Sequence, residues 1–362
     1  MTGTAEREAP SSAAAVEAVV RAGGPRLAQL LEHTEERLVA LAAGHGPTLA
    51  RHAIATISAG GKRLRPLLVF LAAGDAPGPA TQERLVRAAV AVELIHSASL
   101  VHDDVLDAAS MRRGAPTVVA AAGRTIATAT GDLLFSRAFA ELTAGGELED
   151  VRALSAAASA LARGELIQRA DAWDAAVPLA RYLHRCELKT GSLFEAACRL
   201  GALGSEANRV SSSGDRERPT RVSSSGDRER PPADDVTEAL ALFGRRIGLA
   251  FQLLDDVLDV SGPASRTGKA RGTDLLDGTV TLPLILAREQ EPQLAQLDLR
   301  ALRTPQDAEL ICERIAATGA LEVAKERALA VVEEARLGLP ALPAAQQRAL
   351  ELVAEGVVER YA

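Results

Sequence analysis

Five residues, Asp-Asp-Val-Leu-Asp, occur twice in this chain, as Asp103–Asp107 and as Asp255–Asp259. Each word sits in an apolar run: Ser99-Leu-Val-His precedes the first and Phe251-Gln-Leu-Leu the second. Carboxylates are costly to bury unless something neutralises them. Two acid clusters on apolar segments imply a buried cation load, most simply Mg²⁺ ions holding a polyphosphate. On a helix, positions i and i+4 share a face. Asp103 and Asp107 therefore point together, as do Asp255 and Asp259, with Asp104 and Asp256 about 100° around. Two such helices facing each other would clamp a diphosphate through bridging metals. A solvated acidic face would explain one such cluster; two identical copies in apolar surroundings argue against it.

Cations follow the acids. Arg112 and Arg113 lie just past the first word, within reach of a phosphate held there, and arginine binds phosphate bidentately. Gly60-Gly-Lys-Arg-Leu-Arg-Pro66 sets flexible backbone beside Lys62, Arg63 and Arg65, a second phosphate cradle. Lys189-Thr-Gly191 falls in a helical stretch, and Lys269 follows the second word in a Gly-containing loop. Together they make two anion sites, one bridged by metal and one met by Lys and Arg alone. His96 lies two helical turns before Asp103 on roughly the same face, positioned to donate to a phosphate; His102 reads as structural. Gln252 shares the face of Asp255 and points its amide oxygen toward the site.

The elements that must position these residues are helices. The chain has 362 residues, 47% of them hydrophobic, yet aromatics make up only 2%. An Ala/Leu/Glu/Arg-rich sequence of this kind is mostly helical. The periodicity predicts helices over 27–41, 67–73, 81–108, 124–142, 149–171, 180–203, 236–260 and 281–289, with more to the C-terminus. Residues 1–24 read as a disordered tail with at most a fraying helix. Residues 209–219 recur unchanged as 221–231, and their Ser, Gly, Pro and charge content cannot bury enough apolar surface to order. That repeat reads as a loop expansion at about 205–234, inside one helical domain spanning 25–362.

The net charge of −7, with no basic stripe, argues against nucleic acid as a partner. Cys186, Cys198 and Cys312 lack ligand or disulfide spacing, which suits a reducing cytoplasm. No signal peptide is expected, nor any apolar run near the roughly 20 residues of a membrane span. Loose membrane association through a greasy product stays open.

Taken together the motifs are similar to those of the trans-polyprenyl diphosphate synthases, the polyprenyl synthetase family. The resemblance rests on Gly60-Gly-Lys-Arg-Leu-Arg-Pro66, Glu93-Leu-Ile-His96, Leu100–Asp107, Met111-Arg-Arg-Gly114, Gly131-Asp132, Lys189-Thr-Gly191, Gly248-Leu-Ala-Phe-Gln252, Asp255–Asp259, Gly268-Lys269 and Thr281-Leu-Pro283, in family order. It implies an all-α, isoprenoid synthase-type bundle of helices around a central cavity. It also implies Mg²⁺ as cofactor, about three ions per site, bound by Asp103, Asp107 and Asp255 with Asp104, Asp256 and Asp259 in support. Arg112, Lys189 and Lys269 would hold an allylic diphosphate. Lys62, Arg65, His96 and Arg113 would hold isopentenyl diphosphate. Thr190 and Gln252 would set oxygen dipoles near the developing cation. A homodimer is implied as well.

The helix carrying Asp103 should line the growing chain's path, which brings Ala98 and Ser99, both small, to face its tail. An aromatic plug there would stop growth early. The open passage predicts a medium- or long-chain product, about C30–C50, of the kind used for quinone side chains. The alternative is a short-chain farnesyl or geranylgeranyl diphosphate synthase. A class I terpene cyclase fits less well, because cyclases line their pockets with aromatics and this chain has few. A non-catalytic partner subunit also fits less well, because such subunits lose acids that are all present here.

Overall fold

The computed structural model describes residues 12–75, 78–205, 233–262 and 271–359. The chain is all-α, as expected, with one two-stranded hairpin among the described residues. The 209–231 repeat and Lys269 lie outside the described residues.

Helix α1 (Ser12–Gly23) and helix α2 (Pro25–Ala43) open the fold. The first corrects the sequence reading: residues 12–23 are not a tail, because α1 packs along the last helix and buries Val19. Helices α3 (Pro47–Ser58) and α4 (Leu64–Ala73) follow. Between them, Arg63 adopts a left-handed backbone (φ 46°), and its guanidinium bonds Glu35, Glu93 and the carbonyl of Ile57. The basic loop is therefore pinned at its centre, not free.

Helix α5 (Pro79–Leu106) is the axis of the molecule. Its apolar residues occupy every face, the pattern of a helix surrounded by protein, and Leu85, Leu94, Ile95 and Ala98 are wholly enclosed. Each such Leu or Ile contributes about 1.5–3 kcal/mol by burial. Contrary to the sequence expectation, α5 is long and apolar enough to cross a membrane; 72% of its most apolar window is buried inside this fold. It ends at Leu106, so Asp107 caps it. Strands β1 (Met111–Arg112) and β2 (Ala115–Pro116) then form a hairpin whose tip, Arg113 and Gly114, has φ of 52° and 78°. Two positive φ values in a two-residue hairpin loop require glycine or a tolerated strain, and Gly114 supplies half of it.

Helices α6 (Val118–Thr143) and α7 (Leu148–Ala170) run next, α6 interrupted at Gly123. The helix predicted over 180–203 is in fact α8 (Leu179–Cys186) and α9 (Ser192–Gly204) joined by a wider π turn at Glu187–Gly191. Helix α10 (Ala233–Ser261) carries the second acid word. The turn α11 (Thr273–Leu276) and helices α12 (Leu282–Gln290), α13 (Pro292–Ala295), α14 (Pro305–Ala317), α15 (Ala320–Leu337) and α16 (Ala344–Glu359) complete the chain. Helix α5 packs on α6 and α9, α9 on α4 and α10, and α7 on α9 and the π turn. The cavity opens among α5, α7, the π turn and α10.

Candidate active site

The two acid words meet across a cavity of about 270 Å³. Asp103 and Asp107 line it from α5, and Asp255 and Asp256 line it from α10. Lys189 and Thr190 enter from the π turn, Arg65 from α4 and His96 from α5. Apolar lining comes from Leu100, Leu161, Leu193 and Phe251. One space thus gathers four of the six acids, Lys189, Arg65 and His96; Asp104, Asp259, Arg112, Arg113 and Lys62 do not border it.

Wider turns of this kind appear most often at functional sites. Here the turn brings Lys189 against α7, where a Cβ on Gly164 would lie 2.6 Å from the Lys189 backbone nitrogen. Only glycine at 164 allows that approach. Lys189 then pairs with Glu165 at 2.5 Å and stands 3.8 Å from Asp103. Glu165 also accepts from Arg169 Nε at 2.6 Å, and Arg169 Nη2 donates to Asp107 at 2.6 Å. Burial pushes the Asp103 carboxyl up to about 6; Lys189 opposes this, while Glu165 and Asp107 add to it. A carboxylate in that position favours any further cation.

The middle acids do something else. Asp104 is buried and accepts from Arg112 Nε at 2.8 Å. That bond ties the hairpin to α5, and neither residue borders the cavity. Asp256 accepts from the Tyr182 hydroxyl and, at 2.8 Å, from Gln252 Nε2. The Gln252 amide oxygen in turn accepts from Thr190 Oγ1 at 2.8 Å. Gln252 therefore joins Thr190 to Asp256, and both Gln252 and Thr190 line the cavity. Asp259 accepts from the backbone N–H of Asp274 and so fixes the turn that brings Asp274, Thr279 and Thr281 to the cavity wall. Asp104, Asp256 and Asp259 support the site by holding its frame.

Arg65 lies 4.5 Å over the Phe194 ring, and its Nε has no hydrogen-bond partner among the described residues. Burial pulls its pKa down to about 10, with Arg113 adding to the effect against Glu93. His96 is held well below its ordinary value, first by burial and then by Arg65, Arg113, Arg112 and Arg63. It is neutral at pH 7 and keeps one N–H to donate. Concentrated positive charge with an orphaned donor is a site shaped for an anion. Lys62 lies beyond it, in a small apolar pocket lined by α1, α4 and α16, with Phe251 bordering both spaces. Ser99 lines the main cavity, whereas Ala98 is enclosed in the core and does not border it.

Comparison with known proteins agrees with this geometry. Residues 47–218 and 225–317 match the family described as polyprenyl synthetase. The chain belongs to that family. It is 38% identical over 257 residues to heptaprenyl diphosphate synthase component 2 of Geobacillus stearothermophilus, covering 71% of this chain and 72% of that one. It is 34% identical to a geranylgeranyl diphosphate synthase of Methanosarcina mazei, over 84% of this chain and 87% of the relative. Its fold superposes with a TM-score of 0.77 and 30% identity on a polyprenyl synthase from Caulobacter crescentus, solved with calcium and isoprenyl diphosphate, over 98% of this chain and 100% of that one. This polyprenyl synthetase is a prenyltransferase.

Several site residues were missed from sequence: Glu165, Gln168, Arg169, Tyr182, Arg185, Asp274 and Thr279. Glu165, Gln168 and Arg169 carried a signal, since i, i+3 and i+4 share one helix face. Tyr182 carried another, because a buried tyrosine in an aromatic-poor chain needs a partner for its hydroxyl.

A divalent ion fits the donor set. Asp103, Asp107 and Asp255 are oxygen ligands of the hard kind that Mg²⁺ and Ca²⁺ prefer. Among the described residues no three acids, histidines or cysteines lie close enough to cage an ion by themselves. That suits an ion which takes one or two carboxylates and completes its shell with phosphate oxygens and water.

Proposed function

We propose that this protein is a Mg²⁺-dependent synthase that condenses isopentenyl diphosphate with an allylic diphosphate, in trans, to a medium- or long-chain polyprenyl diphosphate of about C30–C50. The observation that carries the reading is one cavity lined by acids of both words, by Lys189, Arg65 and His96, and by apolar side chains. The allylic diphosphate would sit at Asp103, Asp107, Asp255 and Lys189, with Lys269 in the same role. Isopentenyl diphosphate would sit at Arg65, His96 and Arg113, with Lys62 at the outer edge.

In the first step the allylic C–O bond breaks heterolytically and its electron pair leaves with diphosphate. Bound Mg²⁺ supplies Lewis-acid stabilisation of that leaving group. Lys189 adds a fixed positive charge where the new negative charge grows. The double bond of isopentenyl diphosphate then attacks the allylic carbon and forms the new C–C bond. A proton leaves the resulting cation for the departed diphosphate, the nearest strong base, which restores a double bond. Thr190 and Gln252, locked through Asp256 and Tyr182, keep the wall beside the cation rigid. Leu100, Leu161, Leu193 and Phe251 exclude water that would quench it. Ser99, small and at the wall, leaves room for the tail. The same reading makes the protein a cytoplasmic homodimer.

Incubation of the purified protein with Mg²⁺, isopentenyl diphosphate and farnesyl diphosphate, followed by product sizing, tests the proposal. The expected product is an elongated linear diphosphate, and Ser99→Phe should shorten it. Termination at C15 or C20 in the wild type would replace it with the short-chain reading. A cyclic hydrocarbon, or no turnover, would remove it.

A further inference from the structure

The exposed half of α7 carries Arg169 to the first acid word. Five side chains there alternate in charge: Asp107 with Arg169 (2.6 Å), Arg169 with Glu165 (2.6 Å), Glu165 with Lys189 (2.5 Å), and Lys189 with Asp103 (3.8 Å). Gln168 accepts from Lys189 Nζ at 3.3 Å on the same face. Glu165 is the shared anion, and its carboxyl is drawn below the usual range by Lys189 and Arg169 in spite of burial.

The guanidinium of Arg169 donates to Oδ1 of Asp107, one of the two carboxylate oxygens open to a divalent ion. Mg²⁺ binds carboxylate oxygen at about 2.0–2.1 Å in a strict octahedron, and a cation already hydrogen-bonded to that oxygen repels it. Arg169 and the ion compete at Asp107, directly at Oδ1 and through like-charge repulsion at the second oxygen. Resting on the metal-site reading above, we propose that Arg169 is the resident counter-cation of the first acid word. It neutralises Asp107 while no divalent ion is bound, and gives up Oδ1 when one arrives. Glu165 keeps the displaced Arg169 at the mouth of the cavity, where its donors then face the diphosphate. Divalent-ion binding is thereby weak alone and strong with diphosphate, so that the acid word does not fill before substrate is present. Arg169 is a positioning residue in this account, acting through Asp107.

The test is Mn²⁺ titration followed by electron paramagnetic resonance, on the wild type, Arg169→Leu and Arg169→Lys, each with and without inorganic diphosphate. Arg169→Leu should bind Mn²⁺ alone about three- to tenfold more tightly than the wild type, and diphosphate should shrink that gap. Arg169→Lys keeps the charge but loses the fork that spans Glu165 and Asp107, and should fall between the two. Equal Mn²⁺ affinity of Arg169→Leu and wild type would overturn the inference. So would Arg169→Lys matching the wild type, which would leave only a distant charge effect. If the wild type binds no Mn²⁺ even with diphosphate, the metal-site reading itself fails; wild-type binding that needs diphosphate, with unchanged variants, sinks only the role of Arg169. Arg169 is about a third exposed, so these variants should fold, and far-UV circular dichroism checks it.

Discussion

Asp104 and Asp256 hold the same place in the same five-residue word, and both are buried, yet one meets a guanidinium and the other a phenol and an amide. Arg112, the partner of Asp104, is partly exposed and belongs to a surface hairpin. Tyr182 and Gln252, the partners of Asp256, lie on two core helices, and the network continues to Thr190. The third acids diverge too. Asp107 faces the cavity and pairs with Arg169, while Asp259 accepts a backbone N–H and fixes the 273–276 turn. Only Asp103 and Asp255 share a situation: both line the cavity. The lesson is that a repeated word can keep one common function at its first residue and take on different structural roles at the others.

The comparison can be broken at its strongest point first. If Asp103 and Asp255 are equivalent, Asp103→Ala and Asp255→Ala should each reduce kcat by about 10²–10³-fold or more, with circular dichroism unchanged. Retained turnover in either variant would dissolve the symmetry. A middle-sized effect separates the second residues. Asp256→Ala leaves the Tyr182 hydroxyl and the Gln252 amide buried without an acceptor, and should cost about 2–3 kcal/mol in urea unfolding. Asp104→Ala leaves a guanidinium that water can reach, and should cost about 1 kcal/mol. Equal losses would show that the two frames are alike after all.

The smallest effect concerns the cationic cluster. The folded-state pKa of His96 is depressed, so the neutral form is the one the fold accepts. Between that value and about 6.5 the unfolded chain binds a proton that the folded chain refuses, and stability falls as pH drops through this window. Unfolding at pH 7 and pH 5 should show a steeper loss in the wild type than in His96→Gln. A parallel loss in both would place His96 in water, away from the arginines.

Much of the site was legible because it is written in local patterns. The two acid words, Lys189-Thr-Gly191 and the basic loop announce carboxylates and cations on apolar helices, and a helix fixes which of them share a face. The all-α fold class followed from an Ala/Leu-rich, aromatic-poor composition. Other features had no local signature. α1 looked like a tail because its small residues gain stability only by lying on α16. Ala98 looked like a channel residue because a helix turn cannot say which neighbour covers it, and the core, not the cavity, does. Nothing in the sequence around Arg112 shows that its Nε is given to Asp104, eight residues away, which ties it to the frame of the first acid word.

The sequence by itself therefore determined the chemistry on offer: paired acids on one helix face, their cations and an all-helical frame, since these depend on residue type and on spacing within one helix. Tertiary structure alone decided which acids face the cavity and which are consumed as struts. It also decided that Lys189 is reached through a π turn against Gly164, and that Glu165 and Arg169 of α7 complete the first acid word. Those outcomes depend on contacts between separate elements of the chain, from Gly164 with Lys189 to Asp107 with Arg169, which sit 62 positions apart. Spacing along one helix carries no information about which second helix arrives beside it.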